Sequence, residues 1–234
     1  MKRKESDLYE PIKRFFTTRG FTVRGEVLNC DLVAIDNEDT VHIVEMKISC
    51  NLTVILQAIA RLSTANFVYV AIPQPSKRQQ PHWRELLKLC ELTGIGLLTV
   101  TFVRDGAFVT EQVTPRHSET RTNRKKRAAL VRETKARIGD HNIGGTNKVK
   151  RMTAYRQLAL LCLTELQRTG PLSPKQLRVA LLQEKVPAIM RDNVYGWFVR
   201  IQKGLYGLSD EGLLALDEYA HVLRELRPME YNNE

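Results

Sequence analysis

The stretch EVLNCDLVAIDNEDTVHIVEMK, residues 26–47, contains two short apolar runs, LVAI and VHIV, on either side of a polar turn. Two such runs around an Asp-Asn turn predict a β-hairpin. Strand side chains alternate between faces, so Glu45 and Lys47 share a face, with Cα atoms roughly 6.6 Å apart. Asp31 begins the first run. Two carboxylates and an ammonium amid apolar residues are costly to bury unless they are paired or bind a metal. The alternative is an exposed strand end whose ion pair contributes under about 1 kcal/mol.

The segments around this hairpin alternate between helical and strand patterns, which predicts a mixed α/β sheet with helices on both sides. A further strand is expected after the Asp105-Gly106 turn. The other predicted elements are helices at 6–18, from 51 or 53 onward and at 83–93, and strands at 21–27, 67–72 and 95–103.

Asp31, Glu45 and Lys47, in the spacing Asp-x(13)-Glu-x-Lys, resemble the PD-(D/E)XK nuclease superfamily. Cys30 stands where that superfamily has proline. The resemblance implies a restriction-endonuclease-like sheet flanked by helices, in which Asp31 and Glu45 hold Mg²⁺ or Mn²⁺ and Lys47 acts in catalysis. Glu26 is either a further ligand or a plain surface acid.

Other residues match branches of the same superfamily. Glu10, on the first helix, matches the helical acid of resolvase-like members and would complete the metal site. A first-turn acid that stabilises the helix dipole is its alternative. Gln57 and Arg61 match the glutamine-bearing helix of RecB-like members, which implies that Gln57 is catalytic and that Arg61 contacts the nucleic acid.

Positive charge is concentrated between Arg116 and Arg151, where twelve basic residues face three acidic ones in a chain of net charge +10. Such a segment favours a polyanionic partner, and its alternative is a solvated linker. A Gly144-Gly145 loop within it is either a phosphate cradle or a hinge. The predicted nucleic-acid contacts from this segment are Arg124, Lys125, Lys126, Arg127, Lys148 and Lys150.

The chain after residue 151 predicts three helices, a short β-hairpin and a closing helix, an order typical of a winged helix-turn-helix. The third helix, from about 188 to 198, would present Arg191 and Arg200 to a nucleic-acid groove. A helical protein-interaction module is the alternative. The predicted domains are therefore a nuclease-like domain at 1–115, a basic linker at 116–151 and a winged-helix-like domain at 152–234.

Several segments also resemble a largely uncharacterised bacterial family described as PD-(D/E)XK-type phosphodiesterases. They are Asp7-Leu8-Tyr9, the loop GDHNIGG at 139–145, the segment MTAYRQ at 152–157, and the tyrosine-glycine pairs of YGWF at 195–198 and GLYGL at 204–208.

These observations predict a metal-dependent nuclease that acts on DNA, a possible homodimer as in resolvase-like proteins. The alternatives are an inactive nuclease-like protein that binds DNA through its winged-helix domain, and a structural adaptor. No apolar run approaches the roughly 20 residues that a bilayer requires, so no membrane partner is expected. The basic start leads into no signal-peptide pattern, and the four widely spaced cysteines predict neither disulfides nor a zinc site, which favours a cytoplasmic location.

Overall fold

The computed structural model describes residues 3–75, 82–119, 121–146 and 150–226. The chain divides into two compact units, one formed by Met1–Ala136 and Asn142–Arg151 and the other by Arg137–His141 and Met152–Glu234. No helix in the described part of the chain is long and apolar enough to span a membrane.

The first unit is built on a six-stranded mixed sheet whose strands follow one another in chain order. β3 pairs in parallel with β4, and β4 with β5, while the remaining neighbours are antiparallel. Parallel neighbours require a crossover, and helices supply both of them. The strands are β1 (Thr22–Val27), β2 (Cys30–Ile35), β3 (Val41–Met46), β4 (Phe67–Pro73), β5 (Gly96–Val103) and β6 (Gly106–Val113).

Helices cover both faces of this sheet, which confirms the predicted mixed α/β architecture. One core lies under α1, with buried Leu8, Ile12 and Phe16. The opposite core includes residues of the other three helices, among them Ile55 and Leu130. The helices are α1 (Tyr9–Thr17), α2 (Leu52–Arg61), α3 (Trp83–Thr93) and α4 (Arg124–Ala136).

The first helix begins later than the sequence predicts. A short 3₁₀ helix, Glu5–Leu8, precedes α1, and Ser6 is not its cap. Pro11 explains the change, because its ring would clash with the carbonyl of residue 7 in a continuous α-helix and is tolerated only in a first turn. Glu5 therefore lies in the 3₁₀ helix, whereas Glu10 lies in the first turn of α1.

As far as residue 226, the second unit contains five helices and a two-stranded hairpin around its own core. Its third helix is shorter than predicted, because Asn193 and Gly196 both adopt positive φ and end it before residue 198. Arg200 therefore lies on a strand and not on a helix. The elements are α5 (Ala154–Thr169), α6 (Pro174–Leu181), α7 (Val186–Asp192), β7 (Phe198–Gln202), β8 (Leu205–Leu208), α8 (Asp210–Glu218) and α9 (Ala220–Leu226).

Candidate functional site

The register of the hairpin places Asp31 opposite Glu45. Leu32 pairs with Val44, so the next pair toward this end of the strands is Asp31 with Glu45. A tight turn at Leu28 and Asn29, both at positive φ, connects β1 to β2 and fixes where β2 begins. The two predicted acids therefore meet on neighbouring strands.

Glu45 is an almost fully buried carboxylate. Its side chain is 3% exposed, and its Oε1 accepts a hydrogen bond from Nε of Arg61 at 2.7 Å. Burial, and after it the charge of Asp31, raise the pKa of Glu45 to about 7, although Arg61 acts in the opposite direction. A carboxylate in this state favours an added positive charge.

Asp31 is held in place by the backbone of the facing strand. Its Oδ2 accepts a hydrogen bond from the Met46 N–H at 2.8 Å. Burial raises the pKa of Asp31, against this hydrogen bond and the charge of Lys47, which lower it. The carboxylate is thus oriented by the strand that also carries Glu45.

Lys47 is fixed by a carboxylate that the sequence did not indicate. Its Nζ lies 2.9 and 3.1 Å from the two Glu5 oxygens. Burial alone would lower the pKa of Lys47, but the Glu5 hydrogen bond and the charges of Glu5, Asp31 and Glu45 raise it. Lys47 is therefore an ammonium at neutral pH and not a proton acceptor.

Glu26 is a buried anchor for the glycine loop. Its side chain is 3% exposed and pairs with Nη2 of Arg151 at 2.7 Å. The Gly145 N–H donates to Glu26 Oε1 at 3.0 Å. Gly144 packs so closely on the Asp31 carbonyl that a Cβ would overlap it. In this structure the loop N–H thus binds a carboxylate of the protein and holds the loop beside Asp31.

A family model described as "Putative PD-(D/E)XK phosphodiesterase (DUF2161)" matches residues 98–215. The chain belongs to this family. The matched range includes β6, α4, the glycine loop and much of the second unit, and it begins after Asp31, Glu45 and Lys47.

No curated protein matches the chain. Among solved structures it is similar to "SPO1766 protein of unknown function from Silicibacter pomeroyi", at 13% identity and a TM-score of 0.39, over 56% of this chain and 83% of that one.

Two residues predicted from the superfamily pattern have different surroundings from those expected. Glu10 is 74% exposed and pairs with Lys13 at 4.0 Å, so the structure does not bring it to the acids. Glu5, at the start of the 3₁₀ turn, is the acid that faces Lys47. Arg61 was expected on the nucleic acid, but its guanidinium binds Glu45 and the Asn29 carbonyl. Gln57 is exposed on α2, one turn before Arg61.

The predicted nucleic-acid contacts are spread over both units of this phosphodiesterase-family protein. Exposed Arg124, Lys125 and Lys126 lie in the first turn of α4, whereas Arg127 also donates to the Asp39 carbonyl. Lys150 is exposed, and Lys148 lies outside the described residues. In the second unit, Arg191 pairs with Asp192 and Arg200 is exposed on β7.

The donor set suits a hard divalent cation. Within residues 3–75, 82–119, 121–146 and 150–226, no group of three or more His, Cys, Asp or Glu side chains could hold a metal ion. Mg²⁺, however, is often held by only one or two carboxylates, with water and substrate phosphate completing its shell. Asp31 and Glu45 offer such a pair, and the charge of Asp31 raises the pKa of Glu45. The residues present therefore fit Mg²⁺ or Mn²⁺.

Proposed function

We propose that this protein is a divalent-metal-dependent nuclease that hydrolyses phosphodiester bonds of nucleic acid, with DNA as its substrate. The observation that carries the proposal is the placement of Asp31 and Glu45 on paired strands, with Lys47 two residues further on. Placing a half-buried Asp31 beside a buried Glu45 raises the pKa of both carboxyl groups in spite of Arg61 and Lys47, and a bound cation would compensate the charge that remains.

Asp31 and Glu45 would hold the metal ion. When bound, Mg²⁺ or Mn²⁺ would polarise the scissile phosphate and lower the pKa of water. The hydrogen bond from the Met46 N–H would keep the Asp31 carboxylate oriented in both the free and the bound protein.

Lys47 would act as a fixed positive charge beside the phosphate. Its ammonium would offset the negative charge that develops on the phosphoryl oxygens, a role for which preorganised donors are most effective. Glu5 would position the ammonium through its two hydrogen bonds. Gln57 would contact the attacking water or the phosphate from the exposed side of α2.

Arg61 would orient the Glu45 carboxylate. Its Nε donates to Oε1 of Glu45, and this hydrogen bond would keep the carboxylate in one orientation for the metal. The exposed arginines and lysines of α4, with Lys150, would supply contacts to the phosphate backbone, and such contacts make binding sensitive to salt. A winged-helix role for the second unit, with Arg191 and Arg200 on the nucleic acid, belongs to the same proposal.

A catalytically inactive nucleic-acid-binding protein is the second candidate. The observation in its favour is that Glu45 and Lys47 each form an ion pair within the protein. Glu45 pairs with Arg61, and Lys47 pairs with Glu5. In that case the acids and the lysine would form a structural network, and the second unit would supply the function.

The test is a cleavage assay on supercoiled plasmid, single-stranded DNA and RNA, each with Mg²⁺, Mn²⁺ or EDTA. Cleavage that requires metal and is lost in Lys47→Ala supports the nuclease. Lys88→Ala removes an exposed lysine of α3 and serves as the matched control, with wild-type activity expected. Salt-sensitive binding without cleavage of any substrate would refute the nuclease and favour the second candidate.

A further inference from the structure

A cavity of about 780 Å³ opens in the first unit at the carboxyl ends of the parallel strands β3 and β4. Its walls include Ile48, which directly follows Lys47, and Ile72 and Pro73 at the end of β4. Ligands of α/β sheets bind beyond the carboxyl ends of strands, and ligand pockets commonly measure about 300–1,000 Å³. The cavity therefore has the place and the size of a ligand site.

The lining combines an apolar body with scattered polar groups. Half-buried Trp83 and Leu86 form part of it, with exposed Leu52 at the first turn of α2. Residues with polar side chains also line it, among them Gln74, whose amide can donate and accept hydrogen bonds, and the acidic Glu85. This mixture suits a flat ring with hydrogen-bonding edges. It does not suit an acyl chain, which offers no partner to the polar groups.

Two residues that line the cavity lie next to, or close to, the proposed catalytic residues along the chain. Lys47 and Ile48 are adjacent in the chain directly after β3, so the segment that supplies the ammonium also supplies part of the cavity wall. Arg3 also lines the cavity, and Glu5, two residues later in the chain, binds Lys47. If a phosphate of a nucleic-acid strand lay at Lys47, a neighbouring nucleotide of that nucleic acid would lie near the mouth of the cavity.

We propose that this cavity holds an unpaired base of the strand being cut, so that the substrate class is single-stranded nucleic acid or an unpaired end. The proposal rests on the proposed nuclease function and adds the substrate form to it. A base held in a duplex has its edge and faces occupied by its partner and its neighbours. An unpaired base can stack on Trp83 and offer its edge to Gln74 and Glu85.

The experiment uses the full chain and a set of end-labelled single-stranded 30-nucleotide DNAs, each with one abasic site at a different position. With Mn²⁺ present, we expect cleavage to fall roughly 5- to 100-fold at one fixed offset from the abasic site, the range expected when one stacked base is lost. A duplex of the same sequence is cut more slowly than the single strand. Uniform cleavage around the abasic site would overturn the proposal.

Variants tie the effect to the cavity. Trp83→Leu removes the stacking ring, and Leu52→Ser removes an exposed wall residue that the fold does not need. In both variants, the cleavage rate of the intact strand divided by that of the abasic strand, at the sensitive offset, is expected to approach one. Leu92→Ala, at an exposed position of the same helix α3 outside the cavity, keeps the wild-type ratio. An unchanged ratio in both cavity variants would overturn the proposal.

A binding measurement separates this proposal from the proposed function. For this measurement an intact 30-nucleotide strand and a strand that is abasic at every position are titrated by fluorescence anisotropy in EDTA, where cleavage cannot occur. If no metal supports cleavage, the nuclease function fails. Tighter binding of intact than of abasic strands, lost in Trp83→Leu, would then still support the base-binding cavity. Equal binding of intact and abasic strands would overturn it.

Discussion

Replacing Asp31 with asparagine is expected to stabilise the metal-free protein while weakening metal binding. Glu45 has a pKa raised from 4.5 to about 7. At 1.36 kcal/mol per unit, this shift costs the folded state about 3 kcal/mol above pH 7. Burial accounts for the largest part of the cost and the Asp31 charge for the next. Asparagine removes that charge and can still accept the Met46 N–H, so we expect a gain of about 1 kcal/mol.

The pH dependence gives this prediction its sign. A carboxyl group whose pKa is raised by folding contributes no cost below its unfolded pKa, and the cost grows as pH rises through the folded pKa. The gain from Asp31→Asn is therefore expected at pH 8 and should largely vanish at pH 4.

The assay is thermal unfolding in EDTA, where about 1 kcal/mol corresponds to roughly 2–4 °C for a protein of this size. Glu10→Gln is the matched control, because Glu10 is exposed, and its melting temperature should equal that of the wild type at both pH values. A melting temperature of Asp31→Asn at or below the wild-type value at pH 8 would refute the reasoning.

Three further predictions follow from single contacts. Lys47→Ala should slow single-turnover cleavage by about 100-fold or more yet keep Mn²⁺ affinity, and weakened Mn²⁺ binding would show that Lys47 supports the ligands instead. Burial lowers the pKa of His42 from 6.5 to about 4, although the charge of Asp36 acts in the opposite direction. The free energy of unfolding should therefore fall by about 3 kcal/mol as the pH falls from 6.5 toward 4. Urea unfolding at pH 4.5 and 7.5 should show a smaller pH difference in His42→Phe, and an unchanged difference would contradict this. Gly144→Ala forces a Cβ onto the Asp31 carbonyl and should cost about 1–3 kcal/mol in urea unfolding, whereas wild-type stability would show that the loop does not support the site.

The sheet and the acidic pair were accessible from sequence because both follow local rules. The hairpin around Asp36-Asn37 formed with the expected strands. Because β3 ends at Met46, strand alternation does not extend to Lys47, and a shared face for Glu45 and Lys47 stays a prediction. Asn51 caps α2 through a hydrogen bond from the Val54 N–H, as its position before the helix suggests.

The partners of the site residues were not accessible, because they depend on tertiary geometry. Glu5 binds Lys47 across 42 residues, and Arg151 reaches Glu26 from the far side of the glycine loop. The one local signal was Pro11, because its effect on the start of the first helix could have indicated that Glu10 was not the acid at the site. In the second unit, Asn193 at the end of α7 has a left-handed conformation that helical periodicity alone does not reveal.

Manganese binding by electron paramagnetic resonance tests most directly whether Asp31 and Glu45 act together as a metal centre. The wild type should bind Mn²⁺ with an affinity that rises between pH 6 and 8, as Glu45 loses its proton. Asp31→Asn and Glu45→Gln should each weaken binding by at least about 10-fold, and Glu10→Gln should leave it unchanged. Mn²⁺ binding of wild-type strength in Glu45→Gln, or none in the wild type, would contradict the account.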